Sequence, residues 1–472
     1  MQVVDVVRET TIVTNANDKD NSLTCISTST RGYYSLLYNL SSSMVKMYNV
    51  VSNMYLEKYG SVSLSKSKEG LECFTYNIIR AVKLGQSEIS FTSDSNRYKK
   101  VVLNGNSITT GVGYDSTIKI VDLFEKKGFL FRNTGYKVVS AFGNRSKSGY
   151  LEITQKLIEL VEMNVDLDKI KIGARSDVLI LRDKDDNNLE FPSTKYTKEI
   201  IKVLSKYNKL MDKHDVRLGD NKLDTGLARI FNVDFQHGGR LYTSGNSYQG
   251  VAAPLRRYIT IDGNQTAEVD IKGSHISILH TMVGSRLLDG YDPYDIDMNG
   301  IAEYDLEKFS FMVCSYNEQH NPFRNLVKLA LLIMVNADGQ QKASYALKEK
   351  IDAQIKKPKE DLEHLSDQEL YSYLLYGLKN INVQKLFKAI KKKHNAISEY
   401  FFSGAGVWLQ KMEGDIFTKV IENCISNEYP VLVIHDSCRA DVRHIRQIGD
   451  FICQAWYEVV GDIGNLKLEY EF

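Results

Sequence analysis

Between Tyr429 and Asp441 the chain reads YPVLVIHDSCRAD, an apolar run that ends on His435-Asp436-Ser437. A short β-branched run bounded by polar residues predicts a buried strand, here one that delivers a histidine and an acid at its exit. A second strand is predicted over Thr266 to Ile271, with Asp270 near its end. Ser274 is placed to cap the next helix, which carries Ile276, Ile278 and Leu279. TKYTKEIIKVLSKYNKLMDKH (Thr194 to His214) reads as an amphipathic helix with lysines on its open face, linking the N-terminal part of the chain to the C-terminal part. Another helix is predicted around Ile118, Val121, Leu123 and Phe124, stopped by Gly128. After it come FLFRN, YKVVSAF, the basic GNRSKSG and YLEITQ. Helix, strand, basic-tipped turn and strand is the order of a winged-helix hairpin, with Arg145 and Lys147 at the tip within reach of phosphates. An ordinary surface turn is the alternative. Residues 1 to about 55, rich in Ser, Thr and Asn, show no clear period and are expected to be peripheral.

Composition narrows the class. The 472 residues are 43% hydrophobic, enough for a large core and for two to four domains. Basic and acidic residues balance at 60 and 59, so a nucleic-acid role would need local basic patches rather than net charge. One such patch is QKLFKAIKKKH (Gln384 to His394), with five lysines and no acid; a solvated helix face is the alternative. The six cysteines form no CxxC pair, which speaks against a disulfide framework or zinc site and suits a reducing cytoplasm. The longest apolar candidate, LALLIMV, is seven residues, so no membrane span is expected.

Three further features carry chemistry. Asp270 and Asp436 both leave strands, and two carboxylates on adjacent strand ends can bind hard divalent cations such as Mg²⁺. Each acid could equally cap a turn. In NPFRNLVKLALLIMVNADG, Asn321 is an N-cap candidate and Pro322 a first helical residue. Arg324 and Lys328 are four apart and share a helix face; two cations there suit a triphosphate, or else form a solvated face. In DFQHGGRLYTSGNSYQGVAAPLRRYITIDG, Gly238-Gly239 allows close backbone approach, while Arg240, Gln249, Arg256 and Arg257 could track a duplex. A glycine-containing hairpin with surface charge is the alternative there.

These four segments together resemble the superfamily that unites family A (polymerase I type) DNA polymerases and single-subunit, phage-type RNA polymerases. Gln249 follows Arg240 by nine residues, as in the family A pattern GRLSS…LQN. DIKGSHISILH is similar to DYSQIELRILA of motif A; RNLVK matches the R-x-x-x-K opening of motif B; VIHDS matches motif C, which reads HDE in family A and HDS in phage-type RNA polymerases. The separations are 54 residues from Asp270 to Arg324 and 108 from Lys328 to Asp436. The resemblance covers about residues 225 to 472.

What it implies is an α+β right-hand polymerase with an antiparallel palm sheet, helical fingers and a mixed N-terminal region. The expected division is a peripheral segment (1–60), a winged-helix-like nucleic-acid-binding domain (61–165), a helical linker or thumb (166–224), palm (225–285), fingers (286–400) and palm again (401–472). Asp270 and Asp436 would hold two Mg²⁺ ions, with Mn²⁺ as a substitute. Lys328 and Arg324 would grip the triphosphate, Lys328 also acting on the pyrophosphate, with His275 and Asn336 at the nucleotide. Arg240, Gln249, Arg257 and Gln410 would contact the template duplex, His435 would position the growing end, and Glu413 would face the duplex or the metals. Partners would be a DNA template, nucleoside triphosphates and an accessory protein for promoter or primer recognition, in the host cytoplasm if a phage carries the gene. Two positions depart from the family: Asn336-Ala337 replaces its Tyr-Gly pair, and His275 replaces the glutamate of the DNA polymerases. Ser437 favours RNA synthesis; the motif A match favours DNA synthesis. A polymerase-like scaffold without catalysis is the third reading.

Overall fold

The computed structural model describes residues 10–11, 26–27, 42–91, 95–98, 100–109, 112–133, 136–140, 143–147, 149–170, 177–243, 247–288, 291–304, 322–355 and 378–472. The fold is α+β, and its sheets are mostly antiparallel.

Two large apolar cores hold most of the described residues. The first runs from Met44 to Ile170. It includes the Ser42–Tyr59 helix, whose Met44, Met47, Val51 and Tyr55 are fully buried. That stripe has helical spacing, so residues 42–59 are core rather than periphery; methionine and tyrosine set among Ser and Asn hid the period. The helix over Tyr114–Lys126 forms as predicted and ends before Gly128, whose φ of 74° is the left-handed conformation glycine tolerates. The strands Glu88–Ser90, Tyr150–Ile153 and Leu130–Asn133 pair in that order, the strand latest in the chain lying in the middle. The basic stretch departs from expectation: Gly143–Lys147 is a strand paired with Tyr136–Ser140, so Arg145 and Lys147 lie along the ribbon, opposite Val138 and Tyr136, and not at its tip.

The second core runs from Val178 to Trp456. It takes in the Lys195–Met211 helix, capped by Thr194 with Thr197 in a reciprocal box. Ile200, Val203, Leu204 and Tyr207 of this helix are buried, and the Tyr207 hydroxyl donates to the Val431 carbonyl at 2.7 Å. Residues 177–224 are therefore built into the same core as the acid-bearing strands.

The central sheet runs in the order Asn221–Lys222, Val216–Leu218, Ile259–Ile261, Asn264–Ile271, Ser437–Asp441, Val431–Ile434, with Leu468–Glu471 also pairing with Asn264–Ile271. Beside it lies the long Gly406–Ser426 helix. Arg229, 1% exposed, stitches that helix to the Gly238–Tyr242 strand: Nε donates to the Gly239 carbonyl at 2.7 Å and an amino group to Asp415 at 2.8 Å. A Cβ on Gly414 would collide with the Gly239 carbonyl oxygen. Gly238 and Gly239, with φ of 78° and 79°, take a conformation that glycine tolerates, and a Cβ at either would meet the Asn232 amide or the Phe231 ring of the paired strand. Among the described residues no helix is long and apolar enough to cross a membrane.

Candidate active site

The two acids are delivered by one sheet. Ile434 and Ser437 pair across the two-residue turn His435-Asp436. His435 takes a φ of 57°, a conformation that costs a non-glycine residue about 1 kcal/mol. The Asp436 carbonyl accepts from the Ile271 amide at 3.1 Å, and Asp270 pairs with Ser437 on one side and Glu469 on the other. The turn is therefore locked against the end of the Asp270 strand, and the carboxylates are neighbours.

Their electrostatics are unfavourable without a cation. Burial pushes Asp270 up to about 7, helped by the charges of Asp436 and Glu268 and opposed by Lys328. Burial likewise pushes Asp436 up to about 6, helped by Glu413 and opposed by Arg240. Like charges in a partly desolvated site raise both values.

Facing them is a cationic group on the Pro322–Asn336 helix, which starts at Pro322 as predicted; Asn321 lies outside the described residues. The Arg324 guanidinium lies 4.8 Å from the Tyr294 ring centre and the Lys328 ammonium 5.9 Å from it. Asp292 takes the inner edge of the Arg324 fork, at 2.7 Å from Nε and 3.4 Å from an amino group. The outer edge is what a phosphate would meet. Tyr294 is pushed up to about 12, first by burial and then by Asp436, Asp292 and Asp270 against the pull of Arg324. Its hydroxyl lies 3.5 Å from where a Gly273 Cβ would stand. Tyr294 thus sits between the acids and the cations. Neither Asp292 nor Tyr294 stands out in the sequence, because both lie in a non-periodic loop.

Behind the acids is a buried charge cluster. Glu413 is 1% exposed and accepts from Arg240 Nε at 2.8 Å, while His275 Nε2 lies 3.2 Å from its other oxygen. Burial alone would raise Glu413, but His275 and Arg240 hold it down at about 2. Glu413, expected at the duplex or the metals, is the buried counter-ion of Arg240 and a hydrogen-bond partner of His275, and its charge bears on Asp436.

The remaining predicted residues divide. Gln249 is engaged internally: its amide donates to the carbonyls of Val433 (2.8 Å) and Leu241 (3.1 Å) and its oxygen accepts from the Thr243 amide (2.9 Å). It fastens a loop to the sheet rather than presenting itself to a duplex. Arg257 is exposed and stacks on Tyr258, whereas Arg256, half-buried, is the one that feels Glu268 and Asp436. His435 packs edge-on to Tyr242 at 5.8 Å; burial and the Arg240 charge push it down to about 4. Gln410 lies half-buried one turn before Glu413. Asn336 donates to the Leu332 carbonyl and covers Gly406, where a Cβ would collide with its side chain. Ser274 is the first helical residue and does not cap: the cap position is Gly273, left-handed at φ 62°.

Among the described residues no cluster of three or more His, Cys, Asp or Glu surrounds a candidate metal position. Asp270 and Asp436 fit a hard divalent cation in another way: they offer oxygen donors only, and their raised values mark charge that a cation would relieve. Water and substrate oxygens would complete such a shell.

No family model matches the chain, and no curated protein matches it. Among solved structures the chain is similar to the POL domain of Pol1 from M. smegmatis, in a complex with DNA primer-template and dNTP. The identity is 10% over 91% of this chain and 68% of that one, with a TM-score of 0.26. Overlap at that level assigns neither fold nor function.

Proposed function

We propose that the chain is a template-directed nucleotidyltransferase acting on nucleoside triphosphates. The observation that carries this reading is the placement of Arg324 and Lys328 across Tyr294 from the Asp270–Asp436 pair. Asp270 and Asp436 would hold Mg²⁺. When bound, a pair of such ions supplies activation of the attacking hydroxyl and neutralisation of the leaving pyrophosphate. Arg324 offers the outer edge of its guanidinium to phosphate oxygens while Asp292 fixes its inner edge. Lys328, exposed and one turn on, adds charge and a proton for the departing pyrophosphate. Arg240 and His275, fixed by Glu413, form a rigid wall beside the acids. The DNA template and an accessory protein for start-site recognition remain part of this proposal.

The favoured form is a DNA-directed RNA polymerase, with a DNA polymerase lacking exonuclease as the second reading. The Ser437 hydroxyl is turned to Glu268 and gives the first reading no direct sugar contact. The His275 ring, held by Glu413, stands where the DNA polymerases of the resembling family carry a glutamate, and it can obstruct a ribose hydroxyl or bond it, so it does not choose between the two. Incorporation of labelled ribo- and deoxyribonucleotides on a primed DNA template tests both. Preference for ribonucleotides supports the first and preference for deoxyribonucleotides the second. Unchanged transfer in Asp436→Asn would sink the nucleotidyltransferase reading itself.

A further inference from the structure

We propose that His394 is a positioning residue for the triphosphate grip, acting through the Asp292–Tyr294 segment. The proposal rests on the nucleotide role of Arg324 and Lys328 given above. His394 is fully buried at the end of the Val383–Lys393 helix. Its Nε2 is 3.0 Å from the Pro293 carbonyl, which can only accept, so Nε2 carries the proton and Nδ1 the lone pair. Nδ1 is 3.3 Å from both His280 Nε2 and the Tyr291 hydroxyl. With the His280 proton on Nε2, its Nδ1 accepts from the Ser285 hydroxyl at 3.1 Å. One set of neutral tautomers therefore satisfies the chain Ser285, His280, His394, Pro293. Burial lowers the basicity of both rings, and for His394 the charge of Lys393 adds to this.

The anchored carbonyl lies between the two residues that present Arg324. Asp292 bonds the guanidinium, and Tyr294 forms the surface beneath it and beneath Lys328. Lys393 secures the other side of Tyr294, donating to the Asp295 carbonyl at 2.6 Å. Two consecutive residues at one helix end thus bracket the tyrosine under the cations. Without the imidazole, Pro293 loses its buried donor, Asp292 and Tyr294 gain freedom, and Arg324 loses its fixed orientation. The preorganised grip is lost although no group touching the nucleotide has changed.

The test uses the full chain and two probes, fluorescently labelled ATP and dATP. His394→Ala is expected to weaken binding of whichever probe the wild type binds by about 5–10-fold, the range expected for one buried hydrogen bond. His394→Gln, whose amide can donate to the same carbonyl, is expected to restore most of it. In turnover assays His394→Ala is expected to raise KM and leave kcat within about twofold. If His394→Ala does not fold, Lys393→Met takes its place, with a weakening of about 2–5-fold expected from loss of the Asp295 bond. Equal affinity in the wild type and the folded variant overturns the proposal, as does failure of His394→Gln to restore binding. A wild-type chain that binds neither probe overturns the nucleotide role of Arg324 and Lys328 instead.

Discussion

Ser437 donates its hydroxyl to the Glu268 carboxylate at 2.6 Å, across neighbouring strands. Arg439, 1% exposed, bonds the other Glu268 oxygen at 3.0 Å. Ser437 therefore helps hold a carboxylate whose charge bears on Asp270. Ser437→Ala is expected to lower stability by about 1 kcal/mol, the loss of one buried charge-assisted bond. It should leave the ratio of ribo- to deoxyribonucleotide incorporation unchanged. Denaturant titration and the incorporation ratio check the two halves.

The acid pair makes stability depend on pH in a defined direction. Asp270 and Asp436 are raised to about 7 and about 6 from an ordinary 3.8. Their contribution is fully present below the ordinary value and is lost as pH rises through about 6 to 7. In EDTA the chain should melt lower at about pH 8 than at about pH 5, and excess Mg²⁺ should recover much of the difference. The double substitution Asp270→Asn, Asp436→Asn should flatten both dependences in thermal melts.

Glu413 has the opposite sign. Held at about 2 by His275 and Arg240, it contributes stability above the ordinary value of 4.5 that disappears as pH falls toward 2. Glu413→Gln removes the counter-ion of a largely buried arginine and is expected to destabilise by about 3 kcal/mol. It should also reduce the acid sensitivity of unfolding between about pH 4.5 and about pH 2, measured by tryptophan fluorescence.

Gly414→Ala tests the strand–helix seam. The added methyl would overlap the Gly239 carbonyl oxygen, which Arg229 also binds, so the helix has to move away from the strand. A loss of about 3 kcal/mol or more is expected. Gly284→Ala, where a Cβ meets open space but φ is 69°, should cost only about 1 kcal/mol. Paired melting curves distinguish the two.

Legibility in the sequence followed periodicity. The amphipathic helix after Thr194, the Gly128 stop and the two acid-bearing strands each have local signals, and each formed. The Met44, Met47, Val51 and Tyr55 stripe was equally regular, but polar neighbours masked it. The partnership of Glu413 with Arg240 spans 173 residues and has no local signature at all. For Gln249 the residue type was read correctly as a hydrogen-bonding side chain, but a buried amide serves backbone carbonyls as readily as it serves a nucleic acid. Arg256 and Arg257 are adjacent, and only the burial of Arg256 tells them apart.

A small hairpin, Lys100–Leu103 with Asn106–Thr109, reaches from the N-terminal part of the chain to the second core. At its turn the Asn104 carboxamide accepts from the amides of Val178 and Leu179, both at 3.0 Å, and Gly105 tucks under the Phe191 ring. These contacts join residues about 70 to 90 positions apart without using the chain between Ile170 and Asp177. A backbone cut placed between those two residues would leave each core whole and the hairpin seated. The fragments should then find each other when co-expressed, making the protein a natural candidate for split-fragment complementation.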